Sequence, residues 1–256
     1  MDDTPEYAVE ATGTSLSILE ALVAHEEPLG VTALADRVGV SKSVVHNHLS
    51  TLRARGYVVK RSAGYEPSLR TLNLGNRTRE KLPIYRDAKQ ALDNLAAASG
   101  ETTTLFVLEA SAAVPAYISQ PSNGWDPEFR EGERLPIHVN APGKSILASL
   151  SDDRVEEIVD GTKLHALTEA TITDTDALED QISRIRDDGI AFCREEQYEG
   201  IVGVAAPIYT GEADYVAALG VCGPVDRLSG RYLEEDVTGQ VLSTAKSVQV
   251  TLTSNG

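Results

Sequence analysis

"TALADRVGVSKSVVHNHLSTLRARGYV", residues 32–58, decides how the amino-terminal part of this chain folds. Thr32 is placed to cap a short helix that buries Leu34, Ala35 and Val38. Gly39 supplies the tight turn of a helix-turn-helix. Ser41 then caps a second helix that runs to about Arg55 and stops at Gly56. On that helix Val45, Leu49 and Leu52 recur at i, i+4 and i+7 and make one apolar stripe. Ser43, His46, Asn47 and Ser50 recur on the opposite side, and residues 39–57 contain no acid. A helix made only for solvent would carry Glu–Lys pairs there. This one carries groups that reach base edges, since Asn pairs bidentately with adenine and Ser is permissive. Lys42, Arg53 and Arg55 suit phosphates, which position a helix without reading sequence.

Upstream, "LSILEALVAHE" follows Thr14 and Ser15, two good caps, and Ile18, Leu19 and Leu22 face a core. "EEPLG" (26–30) breaks that pattern. Downstream, "YVVKRSAGYEPS" (57–68) alternates as two short strands about Ser62-Ala63-Gly64, with Lys60 and Arg61 near the tip. The order helix, helix, turn, helix, hairpin is that of a winged helix-turn-helix.

Charge follows the same boundary. The 256 residues hold 39 acids against 23 bases, net −16. Residues 1–36 hold eight acids and no Lys or Arg, whereas residues 37–79 hold nine bases and only Glu66 as an acid. A net +8 island in an anionic chain points to a local anionic partner, and its coincidence with the helix-turn-helix pattern weighs against the alternative, a solvated positive face without a partner. Lysine is scarce, 7 against 16 Arg. An acidic, lysine-poor surface suits a salt-rich cytoplasm, where repulsion is screened to within about 3 Å at 1 M, so a halophilic source is expected, with a merely acidic mesophilic protein as the alternative. No apolar run is long enough to span a membrane, and the acidic start "MDDTPEYAVEATG" lacks the features of a secretion signal. Two cysteines without metal-ligand spacing fit a reduced, cytoplasmic protein.

Residues 69–101 read as helical apart from Pro83, with a polar stretch "GNRTREK" that serves as linker. The division expected is 1–74 for the winged helix-turn-helix, 75–82 for the linker and 83–256 for a second domain. "TTTLFVLEA" and "AVPAYISQ" read as strands, and "PSNGWDPEFREGE" (121–133) as a long loop holding the only Trp. "RLPIHV" reads as a strand, and "NAPGKSILASL" as a helix capped by Asn140 with Pro142 in its first turn. Helices at about 152–160 and 174–188, strands at 190–196, 201–209 and 215–223, and a helix from about 230 to 251 complete an α+β domain with a mostly antiparallel sheet.

The stretch at 32–58 resembles the DNA-binding domain of the IclR family of transcriptional regulators. "LPIHVNAPGKSILASL", "GIAFCREEQYEGIVGVAAPIY" and "AALGVCGPVDRL" are similar to landmarks of that family's effector-binding domain. The resemblance implies a ligand-responsive regulator of metabolic genes that binds operator DNA as a homodimer or tetramer. It further implies a GAF-like carboxyl-terminal domain that takes an organic acid, sugar-acid or aromatic effector. DNA contacts then fall to Thr32, Ser41, Lys42, Ser43, His46, Asn47, Ser50, Arg53, Arg55, Lys60 and Arg61. By motif, effector contacts fall to Asn140, Ala141, Pro142, Gly143, Cys193, Ile201, Gly203, Gly220 and Cys222. The family's acid-binding pattern favours Asp at Cys193, Cys at Gly203 and Ser at Gly220 and Cys222, so a less polar, roomier pocket is expected. The turn at 141–143 opens a helix, and backbone N–H groups there can hold a carboxylate; sheet–helix packing around small residues is the alternative for the whole set, and it explains Gly203 and Gly220 equally well. Lys144 either adds charge there or points to solvent, and Glu195-Glu196 reads as a solvated strand end.

"PGKS" (142–145) fails as a phosphate loop because His138 stands where a Gly is needed. The histidines lack metal spacing, no nucleophile or acid–base set appears, and no cofactor or enzymatic activity is expected. The competing reading is a metabolite sensor or enzyme whose winged helix contacts only protein.

Overall fold

The computed structural model describes residues 9–209 and 216–255. The stretch 1–8, most of the segment read above for a secretion signal, lies outside them, as does position 215 of the last expected strand. The chain forms two compact units that divide between Thr78 and Arg79.

The first unit contains α1 (Glu10–Val23), α2 (Val31–Val38), α3 (Lys42–Ala54), β1 (Val58–Lys60), β2 (Tyr65–Pro67) and α4 (Arg70–Arg79), whose last residue falls in the second unit. Ile18 and Leu22 of α1, Leu34 and Ala35 of α2, and Val45, Leu49 and Leu52 of α3 share one core with Leu29, Val58 and Tyr65. Burying a side chain such as Leu49, which is fully enclosed, contributes about 1.5–3 kcal/mol. Leu29 bridges Tyr65 and so adds a third segment to the β1–β2 hairpin. That bridge requires Gly64, because a Cβ there would stand 2.7 Å from the Leu29 backbone.

Two caps differ from expectation. α2 begins at Val31 after an extended Gly30, whose carbonyl accepts from the Leu34 N–H at 3.1 Å. Thr32 therefore lies inside the first turn and caps nothing. α1 begins at Glu10, and Thr14 is already helical, donating to the Glu10 carbonyl at 3.0 Å. By contrast Ser41 caps α3, accepting from the Val44 N–H at 3.3 Å, and Gly39 closes α2 at φ +73°.

The second unit starts with α5 (Pro83–Ser99) and builds one antiparallel six-stranded sheet. Its strands are β3 (Thr102–Glu109), β4 (Ala112–Ser119), β5 (Leu135–Pro136), β6 (Ala191–Arg194), β7 (Ile201–Tyr209) and β8 (Val216–Pro224), in the order β5-β4-β3-β8-β7-β6. Between β5 and β6 run α6 (Ala141–Ala148), α7 (Asp152–Gly161) and α8 (Thr175–Asp188). After β8 a π-helical turn (Tyr232–Val237) leads into α9 (Thr238–Asn255). Strand alternation sorts the faces. Leu105 and Val107 join Val202, Val204 and Leu219 in a core with α5 and α9. Phe106 joins Cys193, Ala205 and Ala218 in a core with α6, α7 and α8. Only Leu135 and Pro136 of "RLPIHV" are strand, since β5 has just two partners, Ala112 and Ala113. Among the described residues no helix is long and apolar enough to cross a membrane.

Candidate functional site

On the first unit the exposed face of α3 carries Lys42, Ser43, His46, Asn47, Ser50 and Arg53, with Arg55 just beyond it. Thr32, Ser41, Lys60 and Arg61 are exposed as well, so all eleven expected DNA contacts lie on the surface of this unit. The opposite stripe of α3 fixes that orientation, because Val45 and Leu49 are fully enclosed. Several hydroxyls are partly engaged. Ser41 Oγ lies 2.9 Å from Ser43 Oγ, and Ser50 donates to the His46 carbonyl at 2.8 Å. Each hydroxyl still offers an accepting lone pair. Asn47 makes no side-chain hydrogen bond among the described residues, so its amide is available whole. His48 lies apart from this face and meets Ser15 Oγ at 2.7 Å, tying α3 to α1. At the wing tip Arg61 pairs with Glu66 at 2.6 Å, a solvent-exposed contact weak enough for a phosphate to displace.

On the second unit a narrow cavity opens on the α6 side of the sheet. It is lined by Asn140, Ala141, Pro142, Cys193, Ile201, Gly203 and Cys222, seven of the nine residues expected there. Gly143 and Gly220 are not among its walls. A Cβ on Gly143 would stand 2.1 Å from the Ile137 carbonyl oxygen, and one on Gly220 2.7 Å from that of Val204. Both glycines serve close backbone packing.

Sequence reasoning missed most of the remaining wall. Phe106, Trp125, Phe129 and Tyr198 line it, with Thr104 and Gln197. The four rings make an edge-to-face chain: Phe106 to Phe129 at 5.8 Å, Phe129 to Trp125 at 6.4 Å and Trp125 to Tyr198 at 5.6 Å. The one available signal was the isolated Trp in the long loop. That loop is held to β3, because Thr102 donates to the Trp125 carbonyl at 2.5 Å.

The polar end of the cavity is the start of α6. Asn140 is buried, and its Oδ1 accepts from the Gly143 N–H at 2.8 Å, capping the helix. That bond leaves the Asn140 Nδ2 donor without a partner among the described residues. An unmet buried donor is costly, and a ligand oxygen would satisfy it. Burial pushes both thiols up, Cys222 to about 12, so the two cysteines stay neutral. Burial also holds the His138 imidazole below its usual range.

Lys144 and Glu196 depart furthest from expectation. Neither is solvated: Lys144 is 0% and Glu196 5% exposed. Lys144 Nζ contacts both carboxylate oxygens, at 2.6 and 2.5 Å. The reason is geometric. Lys144 projects from α6, whose eight residues are all buried, so it cannot reach water and needs a counter-ion. Among the described residues no group of three or more His, Cys, Asp or Glu could hold a metal.

Residues 15–62 match the IclR helix-turn-helix domain. Residues 77–250 match the family described as the bacterial transcriptional regulator IclR C-terminal domain. The chain is 32% identical over 241 residues to the HTH-type transcriptional regulator KdgR of Escherichia coli, covering 93% of this chain and 90% of that one. It superposes on the Thermotoga maritima IclR structure with a TM-score of 0.82 at 22% identity, covering 96% of this chain and 99% of that one. It superposes equally, TM-score 0.82 at 19% identity and 95% and 99% coverage, on an IclR homologue from Microbacterium hydrocarbonoxydans complexed with 4-hydroxybenzoate.

Proposed function

The chain belongs to the IclR family of transcriptional regulators, and from that premise we propose how its two units divide the work. α3 enters the major groove of operator DNA, with Ser43, His46, Asn47 and Ser50 on base edges. Lys42, Arg53, Arg55, Lys60 and Arg61 take phosphates, and Thr32 and Ser41 lie at the backbone. The observation that carries this reading is the exposed, acid-free face of α3 inside a net +8 segment. The cavity of the second unit takes the effector, a small organic molecule with an aromatic ring and an accepting oxygen. The ring chain and the unmet Asn140 donor support that chemistry, as does the 4-hydroxybenzoate of the related complex. The effector changes occupancy of promoters of metabolic genes.

The regulator acts as a homodimer or tetramer. Support comes from apolar side chains left in the open on the first unit: Leu16 and Val23 on α1, and Leu69, Leu72 and Leu74 at α4. α4 buries no side chain of its own, and a helix of that kind gains its stability from a partner surface. The acidic, lysine-poor composition supports a salt-rich cytoplasm.

The test is capture of fragments from sheared genomic DNA, followed by sequencing and gel shift. Enrichment of pseudo-palindromic sites with half-sites about 34 Å apart is expected, with release or tightening on adding 4-hydroxybenzoate. Binding of 4-hydroxybenzoate without any duplex preference would support the protein-contact reading of the winged helix instead.

A further inference from the structure

The buried Lys144–Glu196 pair joins two different walls of the cavity. Lys144 stands one turn along α6 from Asn140, Ala141 and Pro142, which form one wall. Glu196 belongs to the turn between β6 and β7, residues 195–200, whose Gln197 and Tyr198 form the facing wall. We propose that Lys144 and Glu196 are a positioning pair that clamps these walls together, and that the β6–β7 turn is the wall that moves when a ligand enters.

Several observations single out the turn as the mobile side. α6 is buried along its whole length. The turn instead exposes Glu199 and leaves Glu195, Tyr198 and Gly200 half-buried. It contains two left-handed residues, Glu195 at φ +62° and Gly200 at φ +74°, and a non-glycine residue held there stores backbone strain. Side chains outside it limit how far it moves: Thr168 donates to the Glu195 carbonyl at 2.7 Å, and Thr171 to that of Glu196 at 2.6 Å. Within the turn, Glu195 Oε2 accepts from the Gly200 N–H at 2.7 Å. Among the described residues the ion pair is the one hydrogen-bonded link from this turn to Lys144, and it is bidentate.

The pair also bears on ligand chemistry. Lys144 is neutralised where it stands, so it is not the counter-ion of a ligand carboxylate, and Asn140 Nδ2 remains the donor at that end. Buried ion pairs exchange for apolar pairs with little loss of stability, whereas removing one partner strands a charge. What the pair supplies is therefore a fixed geometry. The ligand consequence rests on reading the cavity as the effector site; the clamp itself does not.

Cys193 and Cys222 are the two cysteines of the chain, and both line the cavity, so they report its opening without any effector. In the unmodified full chain, amide hydrogen exchange at 195–200 should be faster than at 141–148. Equal rates in both segments would overturn the mobile turn. Modification of both thiols by N-ethylmaleimide is then followed in K144M/E196L, with thermal melting as the check on folding. We expect a melt close to that of the parent, thiol modification about tenfold faster or more, and faster exchange confined to 195–200. A folded double variant with parental thiol and exchange rates would overturn the proposal. Should the double variant fail to fold, E196D carries the same test: it keeps the charge but withdraws the carboxylate by one carbon. Faster thiol modification in E196D supports the clamp, and a parental rate overturns it. A cavity that opens in these variants yet never binds 4-hydroxybenzoate would leave the clamp standing and count against the proposed effector chemistry.

Discussion

On α3 and at its carboxyl-terminal cap the side chains assigned to DNA lie within one stretch, Lys42 to Arg55, and all of them face water. The cavity of the second unit is walled by β3, the loop holding Trp125 and Phe129, the start of α6, the β6–β7 segment and β8. The first surface is a local object, set by the period of a single helix. The second exists only after the sheet has closed and the helices have packed on it. The difference predicts which substitutions stay local and which spread.

The largest effect tests whether the two units are separable. Leu49→Ala removes a fully enclosed side chain from the small core of the first unit and should cost about 2–5 kcal/mol. Urea unfolding followed by circular dichroism and by Trp125 fluorescence should then show the first unit melting early, with the Trp125 signal unmoved. A shift of both signals together would mean that the units are one cooperative body.

An intermediate effect separates reading from gripping on α3. Asn47→Ala should reduce discrimination between a captured site and its single-base variants by about 1–3 kcal/mol. Arg53→Ala should weaken binding to all of them alike and lower the salt slope by about one. Titration of matched duplexes at several salt concentrations distinguishes the two. Equal losses on every duplex for both variants would remove the groove assignment of Asn47.

The smallest effect concerns the second unit alone. His138 is fully buried and burial depresses its imidazole. The folded chain therefore binds fewer protons than the unfolded chain just below the ordinary histidine range. Its contribution is present above the unfolded value of about 6.5 and is lost as pH falls toward the folded one. The Trp125-detected urea midpoint should drop between pH 7 and pH 5, and His138→Gln should flatten that drop. A slope unchanged by the substitution would assign the loss to other groups.

Much of the first unit was legible because its signals are short-range. Val45, Leu49 and Leu52 fixed the buried stripe of α3, and Ser41 and Gly39 marked its boundary correctly. Thr32 misled, because Gly30 in extended conformation can start a helix without a side-chain cap. In the second unit, glycines that look like ligand contacts divide by which backbone packs against them. Gly203 lines the cavity, whereas Gly143 and Gly220 admit the carbonyls of Ile137 and Val204. No local pattern distinguishes these cases.

The sequence by itself determined the helix-turn-helix, its exposed face, the basic island and the strand alternation, since each depends on residues a few positions apart. Tertiary structure alone decided that Trp125, Phe129, Phe106 and Tyr198 meet in one wall, and that Lys144 and Glu196 lose water and find each other. The physical reason is that desolvation and ring packing depend on distance in space, and β-sheet pairing brings Thr102 beside Cys222 regardless of their separation along the chain.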